Sequence, residues 1–332
     1  MKAVVMPRPG DAGVLEQREV PEPAIRGNRD LRIRLKAAGG NPVDTKMRAG
    51  GTYGGGDDPV ILGCDGAGVV AEAGYGCSRF KPGDEVYFFN GGIGTAPGNY
   101  AEQTVVDERW VAAKPASLSF AEAAALPLVA ITAWESLFDR GELQAGENAL
   151  IHGGAGGVGH IACQLARDAG ARVCTTVGSD AKAELVRDLG VDHTIPYREV
   201  DVVDAVRACS DGRGADLAFD TVGPQVLEAG FPAVRFYGRS VTLLDPKGAD
   251  FKQARLRNQA VHLELMLSPL FFGLDGARAH QTTILEQCAA MIDEGRLRVH
   301  LAHTLPLGEA AEAHRLLEGG HTNGKIALTM DG

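Results

Sequence analysis

Leu150-Ile-His-Gly-Gly-Ala-Gly-Gly-Val-Gly159 decides how this chain is read. A short apolar run suited to a strand enters a glycine-rich turn, and a helical pattern (Ile161, Leu165, Ala169) follows directly. Glycine lets backbone N–H groups approach a pyrophosphate, and Gly159 lets the helix pack closely on the strand. The helix start adds orphan N–H donors and a partial positive charge. The stretch predicts a dinucleotide-binding turn with Gly156, Gly157 and Val158 against the phosphates.

Outward from this turn, short apolar strands alternate with amphipathic helices from Phe120 to about Leu267. That is the pattern of a parallel, doubly wound βαβ sheet and places the fold in the α/β class. Strands are expected over 148–152, 172–177, 193–197, 217–221 and 240–244, with helices over 158–169, 181–189 and 202–209. Residues 1 to about 120 read instead as β-rich, with strands over 2–6, 31–38, 68–73 and 85–89 between Gly/Pro/Asp turns. After Pro269 follow a helix (281–294), a strand (301–305), a helix (308–317) and a last strand (326–330).

A chain of 332 residues exceeds what one core usually supports, so two domains are expected. Its net charge of -10, without runs of like charge, disfavours nucleic acid and anionic membrane as partners. No apolar stretch follows the single lysine at the N-terminus, and the apolar run 123–134, which carries Pro127, is too short to span a bilayer. The six cysteines lie far apart with no CxxC, which reads as reduced thiols in a cytoplasmic protein.

The second strand tells which dinucleotide is expected. NAD enzymes place Asp or Glu about 20 residues past the glycines to hold the ribose hydroxyls. Here the strand ends Cys174-Thr-Thr-Val-Gly-Ser179, with Val177 or Gly178 at that place. Ser179, Lys182 and Tyr197 are expected beside the ribose. A hydroxyl and an ammonium suit a 2′-phosphate, so the expected cofactor is NADPH.

With these residues on the page, the chain resembles the zinc-independent quinone oxidoreductase (zeta-crystallin-like) branch of the medium-chain dehydrogenase/reductase superfamily. The resemblance rests on Ala37-Ala-Gly-Gly-Asn-Pro-Val-Asp44, Leu62-Gly-Cys-Asp-Gly-Ala-Gly-Val-Val70, Phe80-Lys-Pro-Gly-Asp-Glu-Val86, Ala123-Ala-Ala-Leu-Pro-Leu128, the glycine turn, Asp220-Thr-Val-Gly223 and Gly324-Lys-Ile326, in this order. It implies a GroES-like catalytic domain from residues 1–120 and 268–332, with a Rossmann NADPH-binding domain over 121–267. It further implies a nicotinamide near residues 130–134 and the 220–223 loop, and a homodimer formed through the run 261–267. Cofactor contacts carried over are Gly156, Gly157, Val158, Ser179, Lys182 and Tyr197, with Val222, Leu270, Phe271 and Phe272 as candidates against the nicotinamide.

Alcohol dehydrogenases of this superfamily hold catalytic zinc through a cysteine in the segment matching 38–44 and a His-Glu pair in that matching 62–68. This chain has Asn41 in the first and Cys64-Asp65 in the second, too few ligands for zinc. Cys64 reads as a buried small apolar residue. Without a Lewis acid, the acceptor must delocalise its own charge, as quinones and enones do. Candidate groups at the acceptor are Asn41, with Asp44 orienting it, and Tyr53; Lys46 stands where the family often has tyrosine. The chain therefore reads as an NADPH-dependent oxidoreductase passing hydride to a quinone or other conjugated carbonyl. Alternatives are an enoyl-thioester reductase, for which no basic carrier-binding patch is evident, and a non-catalytic NADPH-binding protein. Acceptor choice is expected to lie in the loops 50–59, 90–98 and 271–276.

Overall fold

The computed structural model describes residues 1–55, 60–320 and 322–330. Two compact units account for the chain: Met1–Leu128, Leu267–Gly295 and Val299–Gly332 form one, Val129–Met266 and Arg296–Arg298 the other.

The first unit begins with β1 (Lys2–Met6), β2 (Glu16–Glu19), β3 (Asp30–Gly40), α1 (Pro42–Gly50), β4 (Val60–Ile61), β5 (Asp65–Ala73), β6 (Glu85–Phe89), β7 (Gln103–Asp107), β8 (Val111–Ala113) and α2 (Phe120–Ala124). Long β3 is its spine. Leu31, Ile33 and Leu35 alternate inward against Val70, Val86, Phe88 and Val106. Beyond them Ala37–Gly40 of β3 is buried throughout, as expected where a strand is covered on both faces. A Cβ on Gly39 would lie 2.3 Å from the carbonyl oxygen of Ala124, so only glycine lets α2 lie this close.

The chain then builds the second unit, a six-stranded sheet reached through α3 (Pro127–Trp134). Its elements are β9 (Asn148–Ile151), α4 (Gly159–Asp168), β10 (Arg172–Val177), α5 (Asp180–Asp188), β11 (His193–Pro196), α6 (Val202–Cys209), β12 (Ala215–Asp220), α7 (Pro224–Gly230), β13 (Val234–Thr242), α8 (Lys252–Leu256) and β14 (Ala260–Leu263). The strand order β11-β10-β9-β12-β13-β14, parallel throughout, is that of a Rossmann fold. Strand order reverses beside β9, so the crevice at the carboxyl ends of β9 and β12 is where a dinucleotide belongs. The expected α/β class, with a GroES-like domain and a Rossmann sheet, is what the chain forms. β13 starts six residues earlier than the sequence pattern suggests. It is interrupted between its pairings Ala215↔Val234 and Leu217↔Arg239, which breaks the apolar period.

The remaining elements return to the first unit: α9 (Ser268–Phe272), α10 (Asp275–Asp293), β15 (Leu301–Pro306), α11 (Ala310–Glu318) and β16 (Lys325–Thr329). β16 lies antiparallel to β3, Ile326 opposite Gly40 and Thr329 opposite Ala37, completing the order β15-β16-β3-β5-β6-β8.

One expectation needs correction. Cys174 and Cys209 form a disulfide, while Cys64, Cys77, Cys163 and Cys288 are free. Spacing along the chain hid the pair because the βαβ crossover, which places α6 on the sheet at β10, brings together residues 35 positions apart. Closing a loop of that size removes unfolded-state entropy worth about 4 kcal/mol. Cys209→Ser should accordingly lower the unfolding free energy by about 3–4 kcal/mol in a urea titration, and reductant should do the same to the parent protein.

Candidate functional site

In the second unit the glycine turn is fitted closely to its neighbours. Gly153 has φ +73°, in the region glycine favours. Its N–H donates to Thr176 Oγ1 (2.9 Å), and the N–H of Gly154 to the Thr176 carbonyl (3.3 Å). A Cβ on Gly154 would lie 2.1 Å from Thr175 Oγ1, and one on Gly159 would lie 2.2 Å from the Gly153 carbonyl oxygen. These two glycines are required by packing. Gly156 is less crowded: a Cβ there would meet only the Gly153 oxygen, at 3.1 Å, a tight contact but not an overlap. The first turn of α4 bonds His160 N to Gly156 O, and the N–H groups ahead of it are the orphan donors that phosphates use. The residues present thus fit a dinucleotide.

At the end of β10, Ser179 caps α5 by accepting from Lys182 N (3.4 Å), which sets the Lys182 side chain one turn into the helix. A Cβ on Gly178 would lie 3.1 Å from the Tyr197 hydroxyl, so Ser179, Lys182 and Tyr197 form one neighbourhood. Sequence reasoning missed Arg198, whose guanidinium carbon lies 5.8 Å from the Tyr197 ring centre; its position directly after Tyr197 was the available signal. On β12, Asp220 Oδ1 accepts from the N–H groups of Val222 (2.9 Å) and Gly223 (3.0 Å), and its Oδ2 accepts from Thr242 Oγ1 (2.8 Å). This holds exposed Val222 beside the turn, where a Cβ on Gly153 would be 3.4 Å from Val222 Cγ2. His152 is buried there, and burial pulls its imidazole down to about 4, so it is neutral at pH 7.

The first unit holds a cluster of buried polar groups. Asn41, Asp44, Cys64, Asp65, Tyr100, His314 and Lys325 are all buried. Asn41 Nδ2 donates to Asp65 Oδ2 (2.9 Å), and the Lys325 ammonium donates to Asn41 Oδ1 and to the Gly40 carbonyl (2.9 Å). Asp44 Oδ2 accepts from Asn41 N (2.8 Å) and the Tyr100 hydroxyl (3.3 Å), and the Cys64 thiol lies 3.7 Å from Asp44 Oδ1. Asp65 Oδ1 accepts from Leu128 N (2.9 Å), and Tyr100 reaches His314 Nε2 (3.3 Å). Burial pushes Asp44 up to about 6 and Asp65 up to about 7, while the Lys325 charge holds both back. Asn41 and Asp44 thus meet as a bonded pair without exposed surface. Tyr100, His314 and Lys325 are additions the sequence did not announce, although Lys325 stood within a motif quoted above.

This donor set does not fit zinc. Burial and the facing carboxylates push the Cys64 thiol well up, away from the thiolate zinc binds, and Asn41 is bonded to Lys325 and Asp65. Among the described residues no group of three His, Cys, Asp or Glu side chains is placed to hold a metal ion.

Tyr53 stands elsewhere in this unit, half exposed and edge-on to Phe271 (centroids 5.9 Å), with Phe271 edge-on to Phe272 at 4.8 Å. Leu270, Phe271 and Phe272 lie on α9, within the first unit. Three loops converge here. Gly54 N donates to the Ile93 carbonyl (3.2 Å), Tyr53 meets Phe271, and Arg278 donates to Asn90 Oδ1 (2.7 Å). The part of the first loop at positions 56–59 lies outside the described residues.

Two family models match the chain: "Alcohol dehydrogenase GroES-like domain" over residues 27–116 and "Zinc-binding dehydrogenase" over residues 189–328. A quinone oxidoreductase of Pseudomonas aeruginosa is 32% identical, covering 96% of both chains. This chain belongs to the medium-chain dehydrogenase/reductase superfamily, in its quinone oxidoreductase branch. A 2-haloacrylate reductase of a Burkholderia species is 30% identical over 99% of this chain and 98% of its own. The pikromycin polyketide synthase component PikAII of Streptomyces venezuelae is 33% identical over 97% of this chain but 8% of its own length. The crystal structure of Escherichia coli quinone oxidoreductase complexed with NADPH is similar at TM-score 0.86, with 28% identity over 99% of this chain and 100% of that one. The protein is therefore an oxidoreductase of this superfamily with a Rossmann-type cofactor site. Among the described residues no helix is long and apolar enough to cross a membrane.

Two outcomes follow. Gly156→Val should weaken dinucleotide binding by about tenfold or more in calorimetric titration with a smaller change in melting temperature than Gly159→Ala, because its Cβ meets one backbone oxygen at 3.1 Å while the Gly159 Cβ would meet one at 2.2 Å. Gly159→Ala, by contrast, should lower the melting temperature. The raised Asp65 carboxyl contributes stability below its unfolded value, and that contribution is lost as pH rises through its folded value near 7. Between about pH 4 and pH 7 the parent protein should therefore lose stability relative to Asp65→Asn, read from denaturation midpoints.

Proposed function

We propose that this chain is an NADPH-dependent reductase that passes hydride, without zinc, to a quinone or another conjugated carbonyl, and that it works as a homodimer. The observation that carries the cofactor choice is the end of β10. Val177-Gly178-Ser179 offers no carboxylate for ribose hydroxyls; Ser179 caps the helix that carries Lys182, and the Tyr197 hydroxyl lies beside Gly178 with Arg198 near its ring. A carboxylate would repel a 2′-phosphate, whereas hydroxyls and cations bind it by charge-assisted hydrogen bonds. The solved E. coli relative carrying NADPH supports the same reading.

Bound NADPH would supply the hydride; this chain's residues bind, orient and shield. Gly156, Gly157 and Val158 take the pyrophosphate at the start of α4, and Val222, held by Asp220, presses on the nicotinamide. Asn41 and Asp44, bonded to Lys325, Asp65 and each other without exposed surface, support the acceptor side from beneath, and Tyr53 with Phe271 and Phe272 offers aromatic surface. With a donor set unsuited to zinc, the acceptor must spread its own charge, as a quinone or an alkene conjugated to a carbonyl does. Hydride and one proton from water then complete a two-electron reduction. The relatives named for a quinone and for a haloacrylate both act on such conjugated systems by their names. An enoyl-thioester acceptor is the second reading, favoured by the match to part of PikAII.

NADPH oxidation followed by absorbance against panels of quinones, enones and enoyl thioesters tests the reading, and failure with all three would end it. Lys182→Ala should weaken NADPH by about one to two decades, the worth of a charge-assisted bond, while leaving NADH nearly unchanged. Equal loss for both cofactors would remove the 2′-phosphate assignment.

A further inference from the structure

Arg278 has a different environment from the other cation beside it. On α10 it lies with its guanidinium carbon 4.4 Å from the Trp110 ring centre, where Arg109 also stacks at 4.6 Å. Arg109 forms ion pairs with Asp107 at 2.9 Å and Asp275 at 3.0 Å, and the same two carboxylates act on Arg278 through charge without a direct bond. Arg278 makes one side-chain hydrogen bond among the described residues, from Nη2 to the neutral Asn90 Oδ1. Its Nε and Nη1 donors remain, on a rigid planar group stacked against an aromatic face. Burial pulls its guanidinium down to about 10, with Asp275 and Asp107 holding it up and Arg109 pushing it further down.

Its place matters as much as its charge. Asn90 is buried, bonds through its N–H to the Cys64 carbonyl (2.8 Å), and receives Asn99 Nδ2 on its own carbonyl (2.9 Å). Cys64 in turn adjoins Asp44 and Asp65 of the buried cluster. Arg278 is therefore held at the junction of that cluster with the loop after β6, near the meeting of the Tyr53, Ile93 and Phe271 segments.

We propose that Arg278 binds the carboxylate of the acceptor, so that the preferred acceptor is an α,β-unsaturated acid. This rests on the reductase reading and narrows it. Two N–H donors of one guanidinium match the two oxygens of a carboxylate. In the reaction, hydride from NADPH forms a C–H bond at the β-carbon. The alkene π pair moves to the α-carbon and into the carboxylate, water supplies the α-proton, and NADPH leaves as NADP⁺. Arg278 holds the charge that accumulates on the carboxylate oxygens.

The test compares but-2-enoate with its methyl ester. Measured as the acid-to-ester ratio of kcat/KM, Arg278→Met should lower the preference by about 10–100-fold, the worth of a charge-assisted hydrogen bond. Arg278→Lys should retain part of it. Asn90→Asp keeps the arginine but gives it a carboxylate partner, and should lower the same ratio without removing a cation. Ratios unmoved in the Met and Asp variants overturn the proposal. Calorimetry of but-2-enoate against NADP⁺-loaded protein separates this result from failure of the reductase reading. Binding of the acid that Arg278→Met and Asn90→Asp both weaken supports the carboxylate site even if neither acceptor is turned over. Absent or unaltered binding overturns it.

Discussion

The first unit depends on the Lys325 ammonium buried against Asn41, the Gly40 carbonyl and the charge of Asp65. It joins the last described strand to the spine strand and to the segment that follows it. A buried cation is tolerated only where acceptors and opposite charge surround it, and removing one partner of such a set costs about 3–5 kcal/mol. Asp44 and Asp65 supply the charge, while Asn41 relays between Lys325 and Asp65 through the two ends of one amide. Asn41, Cys64 and Asp65 thus belong to a hydrogen-bonded lattice already closed on itself.

The second unit rests on a different constraint, distance. Gly154 and Gly159 have backbones so near Thr175 and Gly153 that no side chain fits, whereas a Cβ on Gly156 would meet a single backbone oxygen at 3.1 Å. Asp220 fixes the adjoining loop with two backbone bonds and one hydroxyl bond. The turn is therefore rigid on the side that meets protein and bare on the side that meets ligand.

These two constraints were unequally legible. The glycine turn declares itself, because strand, glycine spacing and helix follow one another within 20 residues of chain, and local patterns are what a single sequence displays. Ser179, Lys182 and Tyr197 were found by the same logic, each at a strand end or helix start. The buried cluster was only half visible: Asn41 and Asp44 share one turn, but Tyr100 and Lys325 reach them across 56 and 284 positions, and His314 reaches Tyr100 across 214. Nothing in local pattern marks a lysine in an apolar strand as the partner of an asparagine that remote. The disulfide and Arg278 were hidden for the same reason, since each gains its neighbour only when separate segments fold together.

That remoteness has a bearing on how the molecule is made. The strands of the second unit lie between residues 148 and 263, so all of them are available before β15 and β16 emerge. The other part must wait. β3 emerges early with its edge prepared for β16, and Asn41 and Asp65 face an interior with no cation until position 325 has been translated. During that interval the edge of β3 and the Asp44 and Asp65 carboxylates lack the partners that the finished fold gives them.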